Sequence, residues 1–281
     1  MTYDALVPNA SQLTYGSYLK IPELLGLQEL QSKPAQHDEM LFIIIHQVYE
    51  LWFKQIRHEV SGMLEVIDED RHLPFIKKLK RVNRILDVLV HQIDILETMT
   101  PIEFDKFRAL LNPASGFQSH QFRVIEYSLG IRDDGYLKYH ESNPTAYNAM
   151  KAAIESPSLW DGVLAFLDRK HLNIPAEVLA RDVTKPWVMS LELAKTFGGV
   201  YRDIEKHPNA YAMLESLMDL DQKLLLWRYR HVAMVERIIG ITRGTGGTQG
   251  VEYLSSTLSK RAFPEIWEAR QFVITNVGCP M

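Results

Sequence analysis

The sequence predicts an all-α protein, a helical bundle of long antiparallel helices with short helices at the N-terminus. Two long stretches, 38–67 and 209–240, place apolar residues three and four positions apart, which is the period of one helix face. No series of alternating β-branched residues indicates strands, and no internal repeat or low-complexity tract divides the chain. We therefore expect a single all-α domain over 1–281.

Two long helices are expected early in the chain, after an N-terminal arm over 1–20. The first covers 38–67 and the second covers 78–99. The charged residues 68–72 and 77–81 have the composition of solvated surface, and the stretch before Pro74 is expected to be a loop. Leucine, isoleucine, valine, methionine and tryptophan form one apolar stripe on each helix: Leu41, Ile45, Val48, Trp52, Val60, Met63 and Ile67 on the first, and Leu79, Val82, Leu86, Leu89, Ile93 and Leu96 on the second.

A short helix should follow the second long one. Residues 100–103, TPIE, combine a capping box with proline at the first helical position, which marks a helix start. Asn112-Pro113 should end this helix, because the residue before proline is driven out of the helical region. A further short helix is expected over 117–129, stopped by Gly130.

The rest of the chain alternates weak and strong helical patterns. Prolines break 131–206 into an irregular helical region, expected to be brief helices and loops. The long helix over 209–240 follows, and then a glycine-rich loop over 243–250. A helix-like stretch to about Leu258 and an apolar tail complete the prediction.

Composition and charge exclude several classes of function. The chain has 31 Lys+Arg and 35 Asp+Glu, a formal net charge of −4, which argues against general nucleic-acid binding. Its one cysteine, Cys279, excludes a disulfide within the chain and cysteine-rich metal sites. The start lacks a signal-peptide pattern, and the apolar run 40–45 is far too short to cross a membrane. We expect a cytoplasmic protein with no nucleic-acid or membrane partner.

His231 is the first candidate for chemistry. Trp227 and Met234 flank it at helical spacing within an apolar stripe, so the imidazole should face the interior. A buried imidazole needs hydrogen-bond partners or a metal. Two interpretations stay open, a core histidine satisfied by hydrogen bonds and an axial ligand of haem iron, which needs an apolar slot and a neutral nitrogen.

His46 is the second candidate, on a separate face of its helix. Phe42, Tyr49 and Phe53 lie one and two turns away, which makes an aromatic wall with one imidazole in it. Such a wall suits a flat aromatic ligand that offers one hydrogen bond. A helix–helix packing face is the alternative.

Arg108 and the loop over 243–250 are the remaining candidates. A guanidinium among apolar neighbours needs an anion, either a substrate carboxylate or an internal Asp or Glu. The loop has neither the dinucleotide-binding glycine spacing nor a P-loop, and it follows a helix, so nucleotide binding is rejected. Its backbone N–H groups and hydroxyls suit closure over a small zwitterion, while a plain connection between helices is the alternative.

Four strings resemble the tryptophan 2,3-dioxygenase family. They are HDEMLFIIIHQVYELWFKQI (37–56), ETMTPIEFDKFRALLNPASGFQSHQFRVIE (97–126), LWRYRH (226–231) and RGTGGTQG (243–250), and the resemblance runs from about Leu13 to beyond Gly250. It implies an all-α fold enclosing a haem site, with haem b as cofactor and O₂ as co-substrate. The implied reaction inserts both oxygen atoms across the indole C2–C3 bond of L-tryptophan and gives N-formylkynurenine, the first step of the kynurenine pathway.

The resemblance also implies roles for individual residues. His231 is the proximal iron ligand, His46 is the distal histidine at the indole N–H, and Arg108 pairs with the substrate carboxylate. Whether His46 is a base or only orients the indole stays open. The other implied substrate contacts are Phe42, Ile43, Ile44, Ile45, Phe104, Leu111, Gly244, Thr245, Tyr15 and Tyr18, and Ser115 is implied at the cofactor. Because Tyr15 and Tyr18 match a segment that reaches a neighbouring subunit, a homo-oligomer is expected, a tetramer.

Two positions depart from or vary within the family pattern, and three other functions compete. Phe104 is tyrosine in some members, and His120 stands where leucine is expected, for which the sequence offers no explanation. A haem protein that only senses or carries gas would not need Arg108 or Thr245. An oxygenase of another indole and a purely structural bundle are the further alternatives; the last predicts a colourless protein.

Overall fold

The computed structural model describes residues 13–240 and 250–273, and every regular element in these ranges is helical. The all-α prediction is confirmed. The α-helices described are α1 (Tyr15–Leu19), α2 (Ile21–Leu25), α3 (His37–Asp68), α4 (His72–Leu96), α5 (Pro101–Arg108), α6 (His120–Leu129), α7 (Pro144–Glu155), α8 (Leu159–Arg169), α9 (Ala176–Leu179), α10 (Leu191–Arg202), α11 (Pro208–Ile239), α12 (Val251–Ser256) and α13 (Pro264–Glu268). Short 3-10 turns cover Ala109–Leu111, Gly116–Gln118, Asp134–His140, Thr257–Ser259 and Ala269–Phe272.

The long helices α3 and α11 are confirmed to within one residue at each end. Each runs for 32 residues, and the predicted apolar stripes contribute to the core. Burial of one continuous face explains why helical periodicity locates these helices so well.

The predicted start of α4 was wrong. The helix begins at His72, six residues before the predicted start at 78, and it ends at Leu96. Pro74 is the third helical residue, where a missing N–H costs nothing because the first four N–H groups have no partner within the helix. The charged residues 77–81 belong to the helix, and Leu79 among them is fully buried.

The start of α5 is confirmed at its capping box. The Thr100 N–H donates to Glu103 Oε2 at 2.7 Å, and the Glu103 N–H donates to Thr100 Oγ1 at 3.4 Å. The helix expected over 117–129 is divided, because Ser119 caps α6 after a separate 3-10 turn. Gly130 ends α6 with a positive φ of 115°, as predicted.

The region 131–206 is more regular than expected, with α7, α8 and α10 each 11 or 12 residues long. Part of the predicted apolar tail, residues 264–272, is helical and packed against the rest of the protein. Phe263, Ile266 and Ala269 are fully buried, and the segment packs against α10. A Cβ on Gly198 of α10 would lie 2.5 Å from the Cβ of Phe272, so the two segments approach too closely for any side chain there.

The two longest helices, α3 and α11, both pack against α4. Three residues join α3 to α4, so these helices are antiparallel. Helix α11 runs parallel to α4, because successive ion pairs advance in the same direction along both. These pairs, termed the charge ladder below, are Lys223–Asp87 at 2.7 Å, Arg230–Asp94 at 2.6 Å, Arg230–Glu97 at 3.3 Å and Arg237–Glu97 at 3.9 Å.

The two N-terminal helices contribute little to the core. Neither α1 nor α2 contains a buried residue, and Tyr15 and Tyr18 of α1 are 78% and 69% exposed. Among the described helices, none is long and apolar enough to cross a lipid bilayer.

Candidate active site

One large cavity, of about 280 Å³, opens between the long helices and the short ones. Its walls come from α3, α4, α5, α6, α11 and α12, together with the turn before α6. The candidates that line it are His46, Phe42, Phe104, Arg108, Ser115 and His231. Helices distant in sequence therefore bring most of the predicted chemistry to one place.

His46 faces the cavity and is exposed to it, while protein atoms surround the ring on its other sides. Its Nδ1 lies 2.7 Å from the carbonyl oxygen of Phe42, one helical turn earlier. A carbonyl can only accept, so Nδ1 carries the proton and the Nε2 of the neutral ring is an acceptor. Desolvation lowers the pKa of His46, although the Phe42 carbonyl and Glu50 oppose it, so the ring stays neutral at pH 7.

An aromatic group lies beside His46, and two of its members, Phe42 and Phe104, line the cavity. The Phe42 ring lies 4.2 Å from the His46 ring, 5.6 Å from Phe104 and 5.7 Å from Phe107. Phe42 and His46 share this face because residues four apart on a helix point the same way. Tyr49 and Phe53 also line the cavity and continue the aromatic wall as predicted, with ring centroids 6.0 Å apart.

His231 lies on α11 with its imidazole at the cavity wall. The Trp227 ring stacks on it with an angle of 6° between the planes and 5.5 Å between the centroids. Among the described residues, no group forms a hydrogen bond with this imidazole. Desolvation lowers the pKa of His231 to about 4, and the repulsion that His231 and His46 would exert on each other if both were protonated acts in the same direction. A neutral, unpartnered ring in a cavity wall disagrees with the interpretation as a satisfied core histidine.

A buried ionic network, which the sequence analysis missed, forms another part of the wall. Arg123 and Arg228 both bind Glu126, and all three are at most 6% exposed and line the cavity. Burial works to lower the pKa of Arg123, but attraction to Glu126, together with the nearby Tyr253 and Tyr136, outweighs it and raises that pKa. Because two guanidiniums share one carboxylate, the network carries one excess positive charge.

One sequence feature could have identified this network. Arg228 interrupts the apolar face of α11 between Leu224 and Val232, which are four residues away on either side and both buried. A charge in the middle of a buried stripe requires a buried partner. The partner, Glu126, is 102 residues away, so no local pattern names it.

Several predicted substrate contacts do not line this cavity. Ile45 is buried in the core beside Met234 and Ile238, while Ile43 is half-buried and Ile44 is exposed. Consecutive helical residues point about 100° apart, so the stretch from Phe42 to His46 supplies only its two ends.

The remaining predicted contacts lie elsewhere or outside the described residues. Leu111 packs on the core cluster behind Phe107, and Tyr15 and Tyr18 project from the exposed α1. Gly244 and Thr245 lie outside the described residues. His120 also stays out of the cavity walls; its ring lies 6.4 Å from that of His140, and nothing in the structure explains its presence.

Comparison with known proteins identifies the family. The tryptophan 2,3-dioxygenase family model matches residues 4–171 and 194–273. Similar proteins named tryptophan 2,3-dioxygenase include that of Caulobacter vibrioides, 48% identical over 93% of this chain and 98% of the relative. That of Bordetella pertussis is 45% identical over 93% and 91%, and that of Bacillus cereus is 43% identical over 92% of each chain. With the family model covering most of the chain, the protein belongs to the tryptophan 2,3-dioxygenase family.

Proposed function

We propose that this protein inserts both atoms of O₂ across the indole C2–C3 bond of L-tryptophan and releases N-formylkynurenine, the first step of the kynurenine pathway. The observation that carries the proposal is that two uncharged imidazoles, His231 and His46, face one largely apolar cavity. Family membership supports the same reaction. Arg108 at the same cavity supports an amino acid over a bare indole as substrate.

The residues present fit haem b as the cofactor. His231 offers a neutral nitrogen that binds no other described residue, as iron ligation requires. Haem is an apolar ring with two anionic propionates, and the cavity combines an apolar lining with the excess positive charge of Arg123 and Arg228. We propose that His231 holds the iron, that the two arginines compensate the propionates and that Ser115 contacts the cofactor. When bound, haem supplies the activation of O₂.

His46 orients the indole in this proposal. Its Nδ1–H is engaged by the Phe42 carbonyl, so its Nε2 accepts a hydrogen bond from the indole N–H. The lowered pKa keeps that acceptor free of a proton at pH 7. Phe42 and Phe104 pack on the faces of the indole ring, and the site works by holding the reacting atoms in place.

Charged and polar groups hold the amino-acid end of the substrate. Arg108 binds the carboxylate through a charge-assisted hydrogen bond. Gly244 and Thr245 are proposed to bind the same end. Ile45 and Leu111, which belong to or pack on the core cluster that contains Phe107, are proposed to support the pocket from behind its aromatic lining.

The active form is proposed to be a cytoplasmic homo-oligomer, a tetramer. The exposed aromatic residues Tyr15 and Tyr18 on α1 support a role for the N-terminal arm against another subunit. Two large aromatic side chains that stay exposed on one short helix are available for contact with a partner subunit.

The decisive experiment is turnover by the reconstituted protein. The full chain is loaded with haem, reduced, and supplied with O₂ and L-tryptophan, and N-formylkynurenine is measured together with the haem spectrum. We expect one product molecule per O₂ consumed. Tryptamine, which lacks the carboxylate, should be turned over far more slowly.

Each other outcome identifies a competing function. A haem spectrum without product would favour a protein that only binds gas. Equal turnover of tryptamine and tryptophan would favour an oxygenase of other indoles. A colourless protein that takes up no haem would favour a structural bundle.

A further inference from the structure

Glu126 is the anion at the centre of the buried ionic network. Its Oε1 accepts a hydrogen bond from Arg228 Nη2 at 2.7 Å, and its Oε2 accepts from Arg123 Nη1. The side chain of Glu126 is 3% exposed and lines the cavity. Among the described residues, no other carboxylate binds either arginine.

The network joins three parts of the cavity wall. Arg123 and Glu126 belong to α6, and Arg228 belongs to α11. Arg228 also donates to the carbonyl oxygen of Lys260 at 3.1 Å, beyond α12, and Arg123 Nη2 lies 3.4 Å from the Tyr253 hydroxyl of α12. Removing the carboxylate would leave Arg228 held by the Lys260 carbonyl and Arg123 by the Tyr253 hydroxyl, which are uncharged and weaker acceptors, so both guanidiniums would be less firmly directed.

The same carboxylate halves the positive charge of this wall. Charges in a buried, water-poor region act over longer distances than surface charges, because neither solvent nor salt screens them well. A cation near a metal centre favours the reduced form, which carries less positive charge. The carboxylate opposes that effect and so keeps the reduction potential lower.

We propose that Glu126 is a positioning residue that aims Arg123 and Arg228 at the cofactor and lowers the reduction potential of the haem iron by supplying the single negative charge of the network. This inference rests on the proposed haem-dependent function. It adds a function for a residue that contacts no substrate atom in the proposed reaction.

The test is the reduction potential of the haem-loaded full chain, measured by spectroelectrochemical titration without substrate. In Glu126→Gln, which keeps the size of the side chain and removes its charge, the potential should shift upward. In Glu126→Asp, which keeps the charge, the potential should stay near the wild-type value. A merely structural role would lower the unfolding temperature of both variants and leave the potential unchanged.

A matched control is Asp221→Asn. Asp221 is also a buried carboxylate, and it accepts from the N–H groups of Ala262 and Phe263 and from the Trp267 indole at 2.9–3.1 Å. It anchors the segment after α12, to which Arg228 also binds through the Lys260 carbonyl, but it does not line the cavity. This variant should unfold at a lower temperature with an unchanged potential.

The possible results distinguish a failure of this inference from a failure of the proposed function. An unchanged potential in haem-loaded Glu126→Gln, or an equal shift in Asp221→Asn, overturns the inference. If Glu126→Gln does not hold haem, Arg123→Gln provides the reverse test, because loss of a cation should lower the potential, and no fall overturns the inference. A wild-type chain that takes up no haem refutes the proposed function itself.

Discussion

The two halves of α11 share one apolar period but serve different purposes. In the N-terminal half, Leu217 and Leu220 are fully buried in a closed core. In the C-terminal half, Trp227, Arg228 and His231 occupy the corresponding face, and it opens onto the cavity. A helical stripe therefore tells which face is turned inward, but the structure is needed to show that this face meets a closed core in one half and the cavity in the other.

The largest effect should come from His231→Ala in the open half. Loss of the proposed iron ligand should leave a protein that retains little haem and has no dioxygenase activity, while the unfolding temperature of the haem-free protein changes little. Haem content by absorbance and product formation measure this.

The closed half provides the contrast through Leu217→Ala. This variant should lose about 2–5 kcal/mol of unfolding free energy, as core truncations do, and still bind haem in the molecules that fold. Wild-type haem content in His231→Ala, or haem loss per folded molecule in Leu217→Ala, would contradict the division between the halves.

Arg108→Ala should produce the next largest effect. A buried charge-assisted hydrogen bond contributes about 1.5–3 kcal/mol, so kcat/KM for L-tryptophan should fall by about 10- to 150-fold. Lys106→Ala is the control, because it removes an exposed cation from the same helix, away from the cavity. Equal loss in both variants would indicate a general charge effect and no carboxylate contact.

Deletion of residues 1–19 should reduce activity several-fold and leave the unfolding temperature nearly unchanged. The reason is that α1 buries no residue in its own chain, while Tyr15 and Tyr18 are proposed to act in a neighbouring subunit. Steady-state kinetics and light scattering on the same samples measure this. Full activity in a monomeric truncated protein would rule out the neighbouring-subunit role.

The smallest effect concerns Glu265, which packs near the closed half of α11. Burial raises the pKa of Glu265, against hydrogen bonds from the Ser190 N–H and the Trp187 indole. From the ordinary value of 4.5 up to the raised native pKa, the native state binds more protons than the unfolded state, so rising pH destabilises the protein.

Glu265→Gln mimics the protonated carboxyl and should remove this dependence. Its unfolding temperature should exceed that of the wild type by a margin that grows as pH rises above 4.5 and then levels off. Thermal unfolding of both proteins across this range provides the measurement. A margin that does not change with pH would show that the pKa of Glu265 is the same in the native and unfolded states, which would contradict this prediction.

The helices α3 and α11 could be predicted from the sequence almost to the residue, because each buries one continuous face. The start of α4 could not, since Pro74 and the charged residues next to it have the composition of a loop. The apolar stripe from Leu79 onward still identified the face of this helix that is buried.

The sequence indicated that His46 and His231 belong to the candidate site, but it did not indicate the buried ionic network. His46 and His231 stand out because each lies in an apolar or aromatic helical face. Arg123 and Glu126 are ordinary in sequence, since adjacent charges of opposite sign usually lie on a surface, and their burial depends on Arg228 from a distant helix. Non-local pairing of this kind becomes visible only when the helices are assembled.

The charge ladder between α4 and α11 has a consequence for the position of His231 along the bundle. Lys223, Arg230 and Arg237 recur every seven residues, and each meets a carboxylate of the parallel helix or of its C-cap, Glu97. Exposed pairs of this kind contribute little stability one by one, but a slip of one turn would break all of them and carry His231 about 5.4 Å along the bundle axis. The ion pairs of the ladder thus fix the register of α11 against α4, and with it the position of the His231 imidazole at the cavity.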